Sequence, residues 1–381
     1  MPKKYPSTNV ITKGILASVF CKGDSCIVMF IDTNGDIIFT IVNCDERLFI
    51  ARFDLHLRLI DYQPLDIPFT KMTNFKIIRD GGFVCTGVVG YADDPQLTIF
   101  AIARFNKYFH MDFYREYELL YMNDTPAIIQ DNNGAICCAG IKQLMSNKEV
   151  DTHFVYFNPD LTMDLSIRYD ETDRAHITSL YNLSDEIIIG YGYKIIHSQR
   201  HKDTHESAIM ISFSRNFSGE CRPSSDRVWI DRSKYPTHLN TIIHTGDALI
   251  CGGYTHHGNR NHATLWYFED AHNFKKMTRV SPFDSDNDRD TVYLDVIRIN
   301  NNLICIGKTY GASEHSEGLF LSKFSLDLTY YHDMGSMKSK HSENIYDSTI
   351  IGDMIFHVGG EDSISDDDIS VGILKRIKIN T

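Results

Sequence analysis

The sequence predicts an all-β fold: a single seven-bladed β-propeller of four-stranded antiparallel blades, with an N-terminal strand closing the last blade. Three observations predict it. An alternating apolar run closed by an aromatic residue recurs at nearly constant spacing. A short apolar segment ending in glycine precedes each copy, and helical periodicity is absent throughout.

The closing residues are Phe53, Phe105, Phe157, Phe213, Phe268 and Phe324, with Ile377 in the seventh position, at intervals of 52, 52, 56, 55, 56 and 53. Each belongs to a string such as LFIARFDLHL, IFAIARFNKYF or GLFLSKFSLDL, in which a short polar turn and another apolar residue follow the aromatic. The glycine-ended strings are FVCTG, AICCAG, EIIIGYG, ALICGG, NLICIG and MIFHVGG, with SCIVMF as a divergent first copy. A tight-turn signal precedes most of them (RDGG, QDNNG, HTGD), and a further apolar segment lies before that turn. Strand, tight turn, strand, long polar loop, strand, short turn, strand is the order of a four-stranded meander. Repeated with a period in the low fifties, it describes propeller blades.

The repeat places blades at about 14–68, 69–122, 123–173, 174–234, 235–288, 289–341 and 342–381, the last completed by 1–13. The last copy supplies only three strands, so Asn9, Val10, Ile11 and Thr12 are expected to form its outer strand and to cover the exposed edges. One domain spans 1–381. The glycine doublets Gly252-Gly253 and Gly359-Gly360, and the order ALICGGY then LWYF in the fifth copy, resemble kelch repeats. The other copies keep one glycine (Gly87, Gly140, Gly190, Gly307) and lack the kelch Tyr and Trp.

Composition excludes several roles. The 381 residues carry 38 Lys and Arg against 50 Asp and Glu, a formal net charge of −12, which repels a phosphate backbone, so no nucleic-acid partner is expected. No apolar run reaches the roughly 18–20 residues of a membrane span, and the basic start MPKK has no apolar stretch behind it, so membrane insertion and signal-peptide secretion are not expected. Nine cysteines without a CxxC pair fit a reducing, cytoplasmic setting. Cys85, Cys138, Cys251 and Cys305 each stand two residues before a repeat glycine, which makes them core residues rather than metal ligands.

Chemistry is sparse. Nucleophile elbows, HExxH motifs and phosphate loops are absent. His197, His201 and His205, and His256, His257 and His262, fall in two polar loops without the Cys partners or tight spacing of a zinc site, so solvated histidines are expected. Asp284, Asp286, Asp288 and Asp290 have the alternating carboxylates of a weak calcium loop, but Arg289 stands where the turn glycine belongs and position twelve is Asp295. No other cofactor is expected.

Loop length then points to a face. The loops between second and third strands (88–98, 141–152, 192–206, 254–262, 309–317, 361–369) and the inter-blade connections are long, polar and on one side of the disc. Tyr91, Tyr193, Arg200, Tyr254, Arg260 and Tyr310 are its candidate anchors for a protein partner. The expected function is a non-enzymatic interaction scaffold, or a structural component of a larger assembly such as a viral or phage particle. The alternative is a propeller enzyme or carbohydrate-binding protein acting in the central depression, with or without a metal.

Overall fold

The computed structural model describes residues 3–4, 16–23, 26–44, 47–91, 94–121, 127–144, 150–169, 175–197, 204–214, 228–258, 260–282, 290–310, 318–338, 343–351, 354–362 and 370–378. These contain only strands and turns. The chain starts with β1 (Lys3–Lys4) and β2 (Leu16–Gly23) and then enters its first meander, β3 (Cys26–Asn34), β4 (Ile37–Cys44), β5 (Arg47–Asp54) and β6 (Leu59–Pro64). The next is β7 (Lys71–Ile77), β8 (Phe83–Tyr91), β9 (Asp94–Phe105) and β10 (Met111–Tyr121). It continues through β11 (Ala127–Gln130), β12 (Ile136–Leu144), β13 (Val150–Phe157) and β14 (Met163–Tyr169). Then come β15 (Ala175–Asn182), β16 (Ile187–His197), β17 (Thr204–Ser214) and β18 (Val228–Ile230). The following four are β19 (Thr237–Thr245), β20 (Ala248–His257), β21 (Arg260–Asp270) and β22 (Lys275–Val280). The last two groups are β23 (Asp290–Ile299), β24 (Asn302–Tyr310), β25 (Gly318–Ser325) and β26 (Tyr330–Lys338), and β27 (Glu343–Ile351), β28 (Met354–Asp362) and β29 (Ser370–Lys378).

The fold is the expected all-β propeller of four-stranded antiparallel units. Among the described residues, however, its hydrogen-bonded blades number six, which corrects the seven expected from the repeat. The cause is local. β10 pairs with β12 through Leu120–Gln143 and Tyr121–Lys142. That bridge joins β7–β10 and β11–β14 into one eight-stranded sheet. Sequence periodicity counts the two meanders separately, whereas their hydrogen bonds make one sheet of them. The first strand of each meander touches the first strand of the next, and β27 touches β3, so the first strands encircle the axis.

Closure by an N-terminal strand is observed, on a different segment. β2 pairs antiparallel with β29 from Leu16–Arg376 to Gly23–Ser370, so Leu16–Gly23 is the outer strand of the last sheet. Asn9–Thr12 lie outside the described residues. The divergent first copy also moves by one strand: its Cys26–Phe30 opens β3, a first strand rather than a second. The two-residue turn Gly35-Asp36 after it, with Gly35 at φ 61°, is the turn between first and second strands.

Repeated turns explain the repeated strings. After β5, β9, β13 and β25 the chain folds so that an apolar residue takes a left-handed conformation: Leu57 (φ 59°), Phe109 (φ 66°), Leu161 (φ 63°) and Leu328 (φ 57°). The Leu57, Phe109, Leu161 and Leu328 N–H groups donate to the carbonyls of Asp54, Asn106, Asn158 and Ser325 at 2.9–3.0 Å. A left-handed side chain costs about 1–2 kcal/mol. All four are buried, and burying such a side chain returns roughly 1.5–3 kcal/mol. The closing aromatics Phe53, Phe105, Phe157, Phe213, Phe268 and Phe324 are all buried as well. So are Cys85, Cys138, Cys251 and Cys305, which are free thiols whose ionisation burial suppresses, as expected of core cysteines. The core lies between sheets: Ile38 and Phe53 of the first meander pack with Phe356 and Leu374 of the last.

Candidate functional site

The loops expected between second and third strands are largely hairpin. β8 and β9 stay paired to Tyr91–Asp94, β16 and β17 to His197–Thr204, and β20 and β21 to His257–Arg260 around Gly258. One end of the propeller therefore carries tall hairpins, and the first strands begin at this same end.

Two adjacent meanders share a backbone device there. In β15 a bulge separates the Ile177–Gly192 pair from Ser179–Tyr191, and in β19 a bulge separates Leu239–Gly253 from Thr241–Gly252. The bulge presses the first strand onto the second. A Cβ on Gly192 would lie 2.0 Å from the His176 carbonyl oxygen, and one on Gly253 would lie 2.0 Å from that of His238. Only glycine fits so close to another backbone. The glycines that end the fourth and fifth apolar strings, Gly192 and Gly253, are thus explained by a bulge, whereas at Gly307 a Cβ would meet the Phe320 ring.

Bulges re-aim side chains, and here they present histidines. His176 lies opposite Tyr193 on β16, its ring stacked at 4.7 Å and 8°. His238 lies opposite Tyr254 on β20, stacked at 4.7 Å and 10°. Tyr193 also meets His238 at 4.6 Å across the two sheets. The result is one ladder of four rings, His176–Tyr193–His238–Tyr254. Beside it, Glu206 on β17 places Oε2 2.5 Å from His238 Nε2.

Burial depresses the pKa of His238 below the usual imidazole value; Glu206 opposes that shift and His176 adds to it. The ring is therefore neutral near pH 7 and can accept a proton. Because Tyr193 and Tyr254 cover its faces, proton exchange is confined to the ring edge, where the nitrogen lone pairs point.

Among the six residues expected on this face, Tyr193 and Tyr254 come together in the ladder. Arg260 sits at the hairpin tip opposite His257. The side chains of Tyr91 and Tyr310, and Arg200 entirely, lie outside the described residues. Asp284, Asp286 and Asp288 do too; Asp290 is spent on its neighbour, accepting the Asn261 N–H at 3.2 Å. His256 bonds Asn261 through Nδ1 at 3.0 Å, and His257 packs edge-on to Tyr235 at 4.4 Å. Among the described residues no group of three or more His, Cys, Asp or Glu could hold a metal ion. His176, His238 and Glu206 were not singled out in the sequence. A usable signal was there: AHITS and THLNT put a histidine at the same repeat position, and GYGY and CGGY put a tyrosine opposite it.

No family model matches the chain, and no curated protein matches it. Solved structures match in fold. An ulvan lyase from a new polysaccharide lyase family superposes with TM-score 0.64, 10% identity and 94% coverage of each chain. The polysaccharide lyase Uly1 gives 0.58 and 9%, covering 95% of this chain and 91% of its own. The β-propeller domain of the Trilobed protease from Pyrococcus furiosus gives 0.54 and 10%, covering 93% and 95%. Identities this low establish a shared fold. The comparisons nonetheless run against the scaffold expectation, which is corrected here: the propellers with the highest of these scores act on polysaccharides, so the enzyme or carbohydrate-binding alternative is the one taken forward.

Proposed function

We propose that this chain is a carbohydrate-active propeller that holds an acidic polysaccharide on its hairpin-bearing end and cleaves it by β-elimination at the His–Tyr ladder. The observation that carries the reading is the neutral, edge-accessible imidazole of His238 held between two phenols. The fold likeness to polysaccharide lyases supports it, one of which is described bound to a repeat of glucuronate and sulfated rhamnose.

The chemistry requires one base and one acid. The base removes the C5 proton beside the uronate carboxylate, and those electrons form the C4–C5 double bond as the C4–O bond breaks. The departing glycosidic oxygen then takes a proton from the acid. His238 supplies the base, and Tyr193 or Tyr254 supplies the phenolic proton. Arg260 at the hairpin tip offers positive charge to a polyanion. Because charge is screened over about 8–10 Å in physiological salt, the net −12 does not prevent a local cation from acting.

The test is a panel of uronate-containing polysaccharides, with the ultraviolet absorbance of unsaturated uronide as readout. Activity on one of them, reduced at least about 100-fold in His238→Ala and in the Tyr193→Phe/Tyr254→Phe double variant, is expected. Binding on a glycan array with no cleavage would leave a carbohydrate-binding module. Neither binding nor cleavage would sink the reading.

A further inference from the structure

We infer that Glu206 is a positioning residue that holds His238 as its Nε2–H tautomer, so that Nδ1 is the proton-accepting atom of the ladder. The inference deepens the proposed function and rests on it for its catalytic meaning, though its geometry stands alone. A carboxylate can only accept a hydrogen bond, so the Nε2 atom 2.5 Å from Glu206 Oε2 must carry the hydrogen. In a neutral ring the lone pair then falls to Nδ1. Stacking on Tyr254 at 4.7 Å, with Tyr193 packed at 4.6 Å and 40°, fixes the plane of the ring, and the carboxylate fixes its rotation within that plane. A base needs both constraints.

Among the described residues the groups facing His238 are few. β17 presents Glu206, β16 presents Tyr193 and β20 presents Tyr254, while His176 on β15 acts on the ring through its charge. β23 presents Asp295 further along, at Thr241. Glu206 supplies the carboxylate in direct contact with the ring, so removing its charge while keeping its shape isolates its effect.

The experiment is nitrogen NMR of the full chain with labelled histidine, His238 being assigned by the signal lost in His238→Gln. In wild type the expected result is a protonated Nε2 and an unprotonated Nδ1 above the titration midpoint. In Glu206→Gln the midpoint is expected about one pH unit lower, with the two tautomers mixed, because an amide can donate as well as accept. Glu206→Asp should restore the wild-type tautomer in part. If an active substrate is found, the lower limb of the kcat/KM pH profile should move with the midpoint. Protonated Nδ1 in wild type overturns the inference whether or not the variant folds, and so does an unchanged midpoint and tautomer in a folded Glu206→Gln. Because the tautomer is read without substrate, a protein lacking lyase activity can still show the Glu206 effect, and an active one can fail to show it.

Discussion

At the residue scale the molecule depends on atoms that have no room to be different. Gly192 and Gly253 have the His176 and His238 carbonyls 2.0 Å from where a Cβ would stand. Gly253→Ala should therefore cost at least about 2–3 kcal/mol, measured by chemical denaturation, and should break the His238–Tyr254 stack. An equally stable variant would show that the bulge is adaptable. Asp295 on β23 is the other strained residue. Burial pushes its carboxyl up to about 6, against hydrogen bonds from Thr241 Oγ1 and the Val296 N–H, both 2.8 Å, and the charge of Lys76. A carboxyl raised in the folded state destabilises above about pH 6, and that cost is relieved as pH falls from about 6 toward the unfolded value near 3.8. Asp295→Asn keeps the acceptor oxygen and removes the charge. It should be more stable than wild type at pH 8 by on the order of 2 kcal/mol, with the gap closing by pH 4. Thermal unfolding across pH reads this directly, and a variant less stable at pH 8 refutes it.

At the element scale the two N-terminal strands differ in consequence. β2 adds seven register pairs to β29 and is the last strand of its sheet, whereas β1 adds only Lys3–Tyr330 and Lys4–Tyr331 at the edge of β26. Removing residues 1–15 should change stability by less than about 1 kcal/mol. Replacing Ala17 and Ser18 together by proline should cost several times that, because at least one ladder hydrogen bond is lost and the β29 edge is uncovered. Equal effects in a melting experiment would show that β2 does not close the ring. The repeated strings were legible at this scale because each encodes one physical event: an aromatic entering the core, then a turn whose left-handed apolar residue is held by burial. Which segment closed the ring was not legible. Asn9–Thr12 and Leu16–Gly23 are both short and apolar enough, and only pairing with β29 distinguishes them.

At the scale of the whole molecule, core clusters run between sheets, and the first strands contact one another around the axis. Opening one sheet exposes the apolar face of the next, so unfolding should proceed as one transition, with far-UV and aromatic signals coinciding in denaturant. Two separated transitions would show that the eight-stranded sheet behaves as its own unit.

By itself the sequence determined an all-β chain of repeated four-stranded meanders, an N-terminal strand completing the last of them, and buried cysteines. These follow from local pattern: alternation, turn chemistry and spacing are properties of neighbouring residues. The tertiary structure alone decided the count of six sheets, because the two pairs between β10 and β12 join segments whose pattern is that of separate meanders. It also decided the site. His176, Tyr193, Glu206, His238 and Tyr254 are scattered along the chain, and each is unremarkable in its own strand. Glycine-dependent bulges on two neighbouring first strands present His176 and His238 to Tyr193 and Tyr254 as one stack of four rings with Glu206 beside it, a consequence of backbones meeting across sheets that local pattern does not carry.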